Sequence, residues 1–475
     1  MSQEEKKQTI TPEPVKAISW VTMALLTTCA VASIRGLPAM APYGLASILL
    51  YIGPAIVFLV PTALIAAELA SSWEGGVFGW VKAAYGDRAG FFAIWQQWIQ
   101  NVVWFPAQLA FFATALAYIF DRSLANNGLF IGIVILVVFW ISTLIAFRGV
   151  AAFSAIGSKG LVVGTIIPVV VLVVMAIFFV TTGGHSDMPT NAVSDWIPAL
   201  AGLSGIVLII SNFLSYAGME MNAVHVTDMK NPAIEFPKAI LLASLLILLI
   251  FIPGTLAISI AIPSANIGLT TGVMQALDVF FNHIGIPIGV NILAALIVIG
   301  ILASVVTWIP GPSRGLLMVG QAGYLPPWFQ KTNEEGMQVN IMIVQGIIVS
   351  LLAIFFAFLP SVSSAFWILS AMAVQLYLIM YVLMFLSALR LRKIAPEVKR
   401  GFRVPCMTLV GIIGIIASIA AFFIGFVEPT GMGMRSGTYA GILIAGIVVL
   451  GICPLIIYHF RKPEWNLNRP QNQES

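Results

Sequence analysis

Long apolar runs fill this chain, and they limit the folds open to it more than any other feature of the sequence. Each run has about twenty residues or more, the length that an α-helix needs to cross ~30 Å of hydrocarbon. Of the 475 residues, 60% are hydrophobic and only 9% are charged, so a membrane must cover the apolar surface that a soluble core cannot bury. We predict an all-α integral membrane protein. Its twelve predicted transmembrane helices lie at 17–47, 49–70, 90–119, 128–148, 158–181, 198–223, 237–262, 288–312, 340–358, 362–387, 407–427 and 437–460.

The basic residues predict how these helices are oriented. Two weaker apolar stretches, 71–85 and 264–284, are predicted as short interfacial or re-entrant helices rather than spans. Cytoplasmic loops carry an excess of lysine and arginine. With the N-terminus inside, all but three of the 23 basic residues fall on the cytoplasmic side. Arg122 and Arg435 lie outside, and Arg35 lies within the first span. This bias supports twelve spans and predicts that both termini are cytoplasmic.

Charge and motifs exclude several functional classes. The net charge of +4 is small and dispersed, which argues against nucleic-acid binding. No GxxxxGK[ST] motif occurs, which excludes ATP-driven pumping within this chain. The three cysteines and four histidines lack metal-ligand spacing, so we predict no disulfide framework, metal or cofactor. A secondary transporter, not an enzyme, is the expected class. A non-transporting amino-acid receptor and a catalytic subunit of a larger complex are weaker alternatives.

Two of the predicted spans contain residues that interrupt a helix at mid-membrane depth. The first carries SIRGLP at residues 33–38, in which the glycine loosens the helix and the proline removes a backbone donor. The sixth carries NFLSYAGME at 212–220, with a glycine and a carboxylate. Non-helical backbone within a membrane is tolerated only where it is buried in protein or lines a cavity. Each interruption therefore marks either a kink or a site.

The interrupted helices occupy matching positions in two sets of five. Such a pair is the sequence mark of an inverted-repeat transporter with its site at the breaks. We predict repeats at 17–181 and 198–387, peripheral helices at 407–460, and cytoplasmic tails at 1–16 and 461–475.

The backbone groups freed at the two breaks indicate a ligand. Freed amides between Ile34 and Leu37 can bind a substrate carboxylate, and freed carbonyls between Ser215 and Gly218 can receive an ammonium group. Donors that face acceptors across a small gap fit an amino acid.

Three motifs at these places resemble those of a known family. They are EGGVFGW at 74–80, SYAGME at 215–220 with VTDMKNP at 226–232, and WIPGPSRG at 308–315. Together they resemble the amino acid–polyamine–organocation superfamily, and within it the bacterial glutamate/γ-aminobutyrate antiporter group. The resemblance covers about residues 17–460.

The resemblance implies a LeuT-like 5+5 inverted-repeat fold with two peripheral helices, and it implies amino-acid exchange. It also implies that Trp308 corresponds to an aromatic residue beside the site of related antiporters, and that Leu214 replaces the tryptophan gate of a related arginine exchanger. The predicted substrate-binding residues are Ile34, Arg35, Gly36, Leu37, Leu214, Ser215, Tyr216, Ala217, Gly218 and Trp308.

Two charges at membrane depth have open roles. Glu220 is costly there and is predicted to couple protons or gate transport, although it could also brace the broken helix. His225, near the end of the sixth span, is a further candidate for sensing pH. Arg35 needs an anion. That anion is either Glu220 or a carboxylate on the substrate side chain, unless Arg35 reaches a water-filled vestibule.

The predicted function is secondary active amino-acid antiport by alternating access in a bacterial inner (plasma) membrane. The resemblance implies exchange of a glutamate-like amino acid for its decarboxylation product, a GABA-like amine, as in acid resistance. Its partners would be these small molecules, protons and membrane lipid, with no nucleic acid. A proton-coupled importer of the same fold is the alternative. Because only about fifteen polar residues follow Phe460, we expect the C-terminal plug of family exchangers to be absent or reduced.

Overall fold

A computed structural model describes residues 18–149, 160, 162–198, 203–223, 229–430 and 432–466. In these residues the regular structure is helical, apart from one isolated bridge between Ile18 and Met229. The α-helices are α1 Trp20–Val31, α2 Leu37–Met40, α3 Ser47–Pro54, α4 Val60–Ala70, α5 Gly76–Tyr85, α6 Asp87–Phe120, α7 Gly128–Ala146, α8 Ile167–Thr181, α9 Ile210–Tyr216, α10 Met219–Ala223, α11 Pro232–Ala261, α12 Gly272–His283, α13 Ile288–Trp308, α14 Pro310–Gln321, α15 Val339–Ala353, α16 Phe355–Phe358, α17 Val362–Ile394, α18 Met407–Ile424 and α19 Ser436–His459. Shorter 3₁₀ and π turns lie at Ile34–Gly36, Ala41–Ala46, Ala55–Leu59, Arg122–Asn126, Val162–Ile166, Val193–Trp196, Leu203–Gly205, Val207–Ile209, Ser264–Asn266, Pro327–Gln330 and Pro463–Trp465.

Ten helical stretches of the described chain are long and apolar enough to cross a membrane. The count is two lower than the twelve predicted spans, and the difference lies in the first and the sixth predicted spans. The second half of the first span continues into the second as one stretch, Ile34–Ala70, and leaves α1 as a separate helix of 12 residues. The sixth is the short apolar stretch Val207–Met221. Both differences arise because these two helices are broken. The chain is a multi-pass, all-helical membrane protein.

The first break begins where α1 ends, at Val31. Ala32 and Ser33 have extended backbone, with ψ of 118° and 130°, and the turn Ile34–Gly36 follows. Pro38 then lies in the first turn of α2, where its missing N–H is not needed. The sequence therefore stops α1 at Val31 and starts α2 at Leu37, six residues later.

The second break separates α9 from α10. Ala217 is extended, with ψ of 149°, and Gly218 has φ of +105°. That φ is accessible to glycine at little cost and strains any other residue. The two breaks lie against each other, since a methyl group added at Gly36 would lie 2.6 Å from the Oγ of Ser215.

Helices α6 and α17 form the centre of the bundle. In their most apolar stretches, 78% and 83% of the residues are buried, whereas only 28% and 22% are buried in α18 and α19. The last two helices thus lie at the periphery. The predicted short helices at 71–85 and 264–284 correspond to α5 and α12.

Candidate functional site

A cavity of about 520 Å³ lies at the two breaks. Its walls come from both broken helices and from α6, α13 and α17, and it is largely apolar with a few polar groups, as ligand sites commonly are. The lining residues are Leu26, Val31, Ala32, Ser33, Ile34, Arg35, Gly36, Gln100, Asn101, Trp104, Gln108, Phe111, Gly164, Thr165, Leu214, Ser215, Ala217, Met221, Gly300, Ile301, Ser304, Thr307, Trp308, Gly311 and Tyr377.

Seven of the ten predicted substrate-binding residues line this cavity. They are Ile34, Arg35, Gly36, Leu214, Ser215, Ala217 and Trp308. Trp308 ends α13, and its ring lies 6.1 Å from that of Trp104 on α6. The two indoles together form one aromatic wall of the cavity.

The other three predicted residues lie outside the lining. Leu37 is fully buried, and its amide already donates to the carbonyl of Ile34. Tyr216 donates its hydroxyl to the carbonyl of Tyr51 at 2.9 Å and stacks on Phe251, so it holds the broken helix against its neighbours. Gly218 donates its amide to the hydroxyl of Tyr381 at 2.9 Å.

Glu220 lies behind the cavity wall rather than in it. Its side chain is buried, with the residue 2% exposed. One oxygen accepts from the Nε2 of Gln97 at 3.0 Å and from the hydroxyl of Tyr377. The other accepts from the hydroxyl of Tyr381 at 2.6 Å. Three donors to one carboxylate is an arrangement that satisfies its ionised form.

Tyr381 connects this carboxylate to the second break. Its hydroxyl oxygen accepts the Gly218 amide, so its one proton is free to point at Glu220. Tyr377, the neighbouring donor, also lines the cavity. A change at Glu220 is therefore two hydrogen bonds away from the break, through Tyr381, and one away from the cavity lining, through Tyr377.

Arg35 does not pair with Glu220. Its Nη1 donates to the Oγ of Ser370 at 3.1 Å, and the guanidinium lies 5.3 Å from the ring centroid of Phe366. Arg35 is 6% exposed, and its buried Nε has no hydrogen-bond partner within the described residues. Of the interpretations offered for Arg35, the ion pair with Glu220 is wrong for this conformation.

An amide-rich face of α6 is the part of the site that sequence reasoning missed. Gln100, Asn101 and Gln108 line the cavity. The Oδ1 of Asn101 and the Oε1 of Gln108 are buried without a partner, although buried polar atoms normally have one. The signal was available, because several amide side chains recur at helical spacing within one apolar span. His225, a predicted pH sensor, lies outside the described residues.

Comparison with known proteins gives the family. Residues 18–452 match the family described as amino acid permease. The chain is 35% identical to an uncharacterized transporter of Legionella pneumophila, over 92% of this chain and 96% of that protein. It is 30% identical to a glutamate/gamma-aminobutyrate antiporter of Lactococcus lactis, over 96% of this chain and 93% of the relative. A probable agmatine/putrescine antiporter of the same species is 26% identical over 74% of both chains.

These matches agree with the resemblance seen in the motifs, and they concern transporters and permeases rather than enzymes. Since the family match extends over most of its length, this chain belongs to the amino acid permease family of the amino acid–polyamine–organocation superfamily.

Proposed function

We propose that this protein is a secondary active antiporter that exchanges a glutamate-like amino acid for its decarboxylation product, a GABA-like amine. The observation that carries the proposal is the cavity where two interrupted helices meet, lined by Arg35 and by two amide residues, Asn101 and Gln108, whose buried side-chain oxygens have no hydrogen-bond partner. Such a cavity offers donors for a carboxylate and acceptors for an ammonium group. Similarity to the Lactococcus lactis protein named glutamate/gamma-aminobutyrate antiporter supports the same exchange.

The transport cycle would be alternating access around this cavity. In this cycle the first span hinges at Ala32–Ser33 and the sixth span hinges at Ala217–Gly218, so that the site faces each side of the membrane in turn. The amides that begin the stretch Ile34–Ala70 hold the α-carboxylate, and Trp308 closes over the ligand. This proposal includes twelve spans in a LeuT-like arrangement, with inverted repeats at 17–181 and 198–387. It also places both termini in the cytoplasm and the protein in a bacterial inner membrane.

Glu220 would couple transport to protons through Tyr381. The ionised carboxylate accepts the Tyr381 proton, while Tyr381 accepts the Gly218 amide. A proton on Glu220 turns an acceptor oxygen into a donor, so this chain of bonds must rearrange at the break. Exchange of the amino acid for its amine also removes a proton equivalent from the cell, because decarboxylation consumes one.

Counterflow in proteoliposomes tests the proposal. We expect labelled glutamate to enter vesicles loaded with glutamate or γ-aminobutyrate at least ~10-fold faster than empty vesicles. The reason is that the binding site of an obligate exchanger switches back to the outside only when a substrate is bound to it. Vesicles without protein serve as the control. Net uptake into empty vesicles, driven by a pH gradient, would show the alternative, a proton-coupled importer. No uptake under either condition would overturn transport of these substrates.

A further inference from the structure

We propose that Arg35 is the specificity-determining residue of the cavity and binds the side-chain carboxylate that an acidic amino acid shares with its decarboxylated product. This inference rests on the proposed function and adds which group of the ligand is recognised, and by which residue. It predicts a site for acidic amino acids and ω-amino acids that excludes diamines.

The cavity has a single charged residue in its described lining. Of all the described residues that line it, Arg35 alone has a formally charged side chain. The rest of the wall is apolar, hydroxyl or amide. A ligand with a net negative or distal negative charge is therefore attracted at this point, and a second cation is repelled.

The guanidinium of Arg35 is surrounded by neutral groups. Arg35 is 6% exposed, yet its contacts are a neutral hydroxyl, Ser370, and the neutral ring of Phe366. Its Nε is buried without a partner. A guanidinium is a planar fork that matches a carboxylate, and it cannot shed its charge at ordinary pH. Burying it unpaired is costly, and a bound carboxylate removes that cost.

No carboxylate of the described protein is placed to do this instead. Glu220 is the acidic residue next to the site, and both of its oxygens are taken by Gln97, Tyr377 and Tyr381. Glu68, the other buried acid of these helices, is held by Arg392. Since Arg35 lines the cavity, we assign its anion to the ligand that binds there.

The chemistry of exchange selects which carboxylate is bound. Decarboxylation of an acidic amino acid removes the α-carboxylate and keeps the amine and the side-chain carboxylate. A site that must hold both exchange partners needs a fixed contact with what they share. Arg35 can hold the shared carboxylate, and the oxygens of Asn101 and Gln108 can accept from the shared amine. For a diamine the shared group is cationic, and Arg35 would repel it.

Ligand binding to purified protein tests the proposal without requiring transport. Thermal unfolding would be measured against concentration of glutamate, of its neutral near-isostere glutamine, of γ-aminobutyrate and of putrescine, since a ligand of the folded state raises the unfolding temperature. The wild type should prefer glutamate to glutamine by roughly 10- to 100-fold, the effect of one charge-assisted pair. Arg35→Gln should bring this ratio near one, and Arg35→Lys should leave it intermediate.

The matched control is Arg435→Gln, the same substitution at an exposed arginine remote from the cavity, which should keep the wild-type ratio. An unchanged ratio in Arg35→Gln would overturn the proposal. So would a wild type that binds glutamine or putrescine as tightly as glutamate, and that measurement remains available if Arg35→Gln does not fold. Selective binding of glutamate together with net uptake into empty vesicles would refute antiport and leave the role of Arg35 standing.

Discussion

Glu220 shows what one buried residue can contribute and how far its role can be inferred from sequence. Its cost in a membrane marks it as important in the sequence alone. Its partners were not predictable, because Gln97, Tyr377 and Tyr381 lie on two other helices whose rotation about their axes relative to the sixth depends on packing. In the structure, the Glu220 carboxylate belongs to a chain of hydrogen bonds that runs from the cavity-lining Tyr377 through Tyr381 to the break at Gly218.

Removing the Tyr381 hydroxyl should alter the response of exchange to pH. Tyr381→Phe deletes one donor to the ionised Glu220 and leaves the Gly218 amide without its acceptor. A hydrogen bond to a charged group contributes about 1.5–3 kcal/mol, so its loss should change the rate of exchange by roughly 10-fold or more over part of the pH range. The measurement is glutamate counterflow between pH 5 and 8.

The control for this substitution is Tyr439→Phe. Tyr439 is also fully buried, and its hydroxyl bridges Trp367 and the carbonyl of Gly425 away from the cavity. This substitution should lower stability by about 1–3 kcal/mol, because it removes two hydrogen bonds and leaves the buried Trp367 donor without its acceptor, but it should not move the pH profile. Equal profiles for Tyr381→Phe and the wild type would contradict a coupling role for this bond.

At the scale of helices, the two breaks were predictable and the contacts between helices were not. Glycine, proline and a carboxylate inside apolar runs located both interruptions to within a few residues. The remaining helices carry apolar residues on every face, so their sequences do not identify which face packs against a neighbouring helix. The α6 amides illustrate this limit, because their spacing was visible while their position at the cavity followed only from the structure.

One such contact joins the stretch before α8 to α13. Residues 160–164 read GLVVG, a pattern of small residues that lets membrane helices approach closely. A methyl group added at Gly164 would overlap the backbone of Gly300, and one added at Gly300 would overlap the backbone of Gly164. The two backbones are therefore in direct contact, at a place where both glycines line the cavity.

Alanine at Gly300 should force these helices apart. Inserting a methyl group into a packed interface costs about 1–3 kcal/mol, so Gly300→Ala should lower the unfolding temperature in detergent. Gly441→Ala is the matched control, because Gly441 is exposed within α19 and a methyl group there meets no atom within 4 Å. It should leave stability unchanged or raise it. Similar unfolding temperatures for the two variants would mean that the helices separate at no cost.

For the whole molecule, a second group of buried charges joins parts of the chain that are far apart in sequence. Glu68, at the end of α4, is 1% exposed. Arg392 of α17 donates to its two oxygens at 2.7 and 2.6 Å, and the Nε of Arg400 lies 3.2 Å from it. The Val404 amide completes the set at 2.6 Å. Sequence reasoning counted Arg392 and Arg400 only as orienting charges, because their acidic partner lies in another span, over 300 residues away.

Replacing Glu68 by Gln should destabilise the protein strongly. Removal of one member of a buried ion pair costs about 3–5 kcal/mol, since the other charge is left unpaired. The lower end applies here because the side chain of Arg392 is 25% exposed. The side chain of Arg400 is only 2% exposed, so solvent stabilises its charge less than that of Arg392. Burial already lowers the pKa of Arg400 despite the nearby carboxylate. Thermal unfolding of Glu68→Gln should therefore begin at a temperature well below that of the wild type.

Glu74→Gln is the matched control, because it removes the same charge at an exposed carboxylate six residues away and should have little effect. In the double variant Glu68→Gln/Arg392→Gln, part of the loss should return, because a buried charge without a partner costs more than a neutral pair. If instead the effects of the two substitutions simply add, Glu68 and Arg392 are not coupled, and the joining of α4 to α17 must come from apolar packing alone.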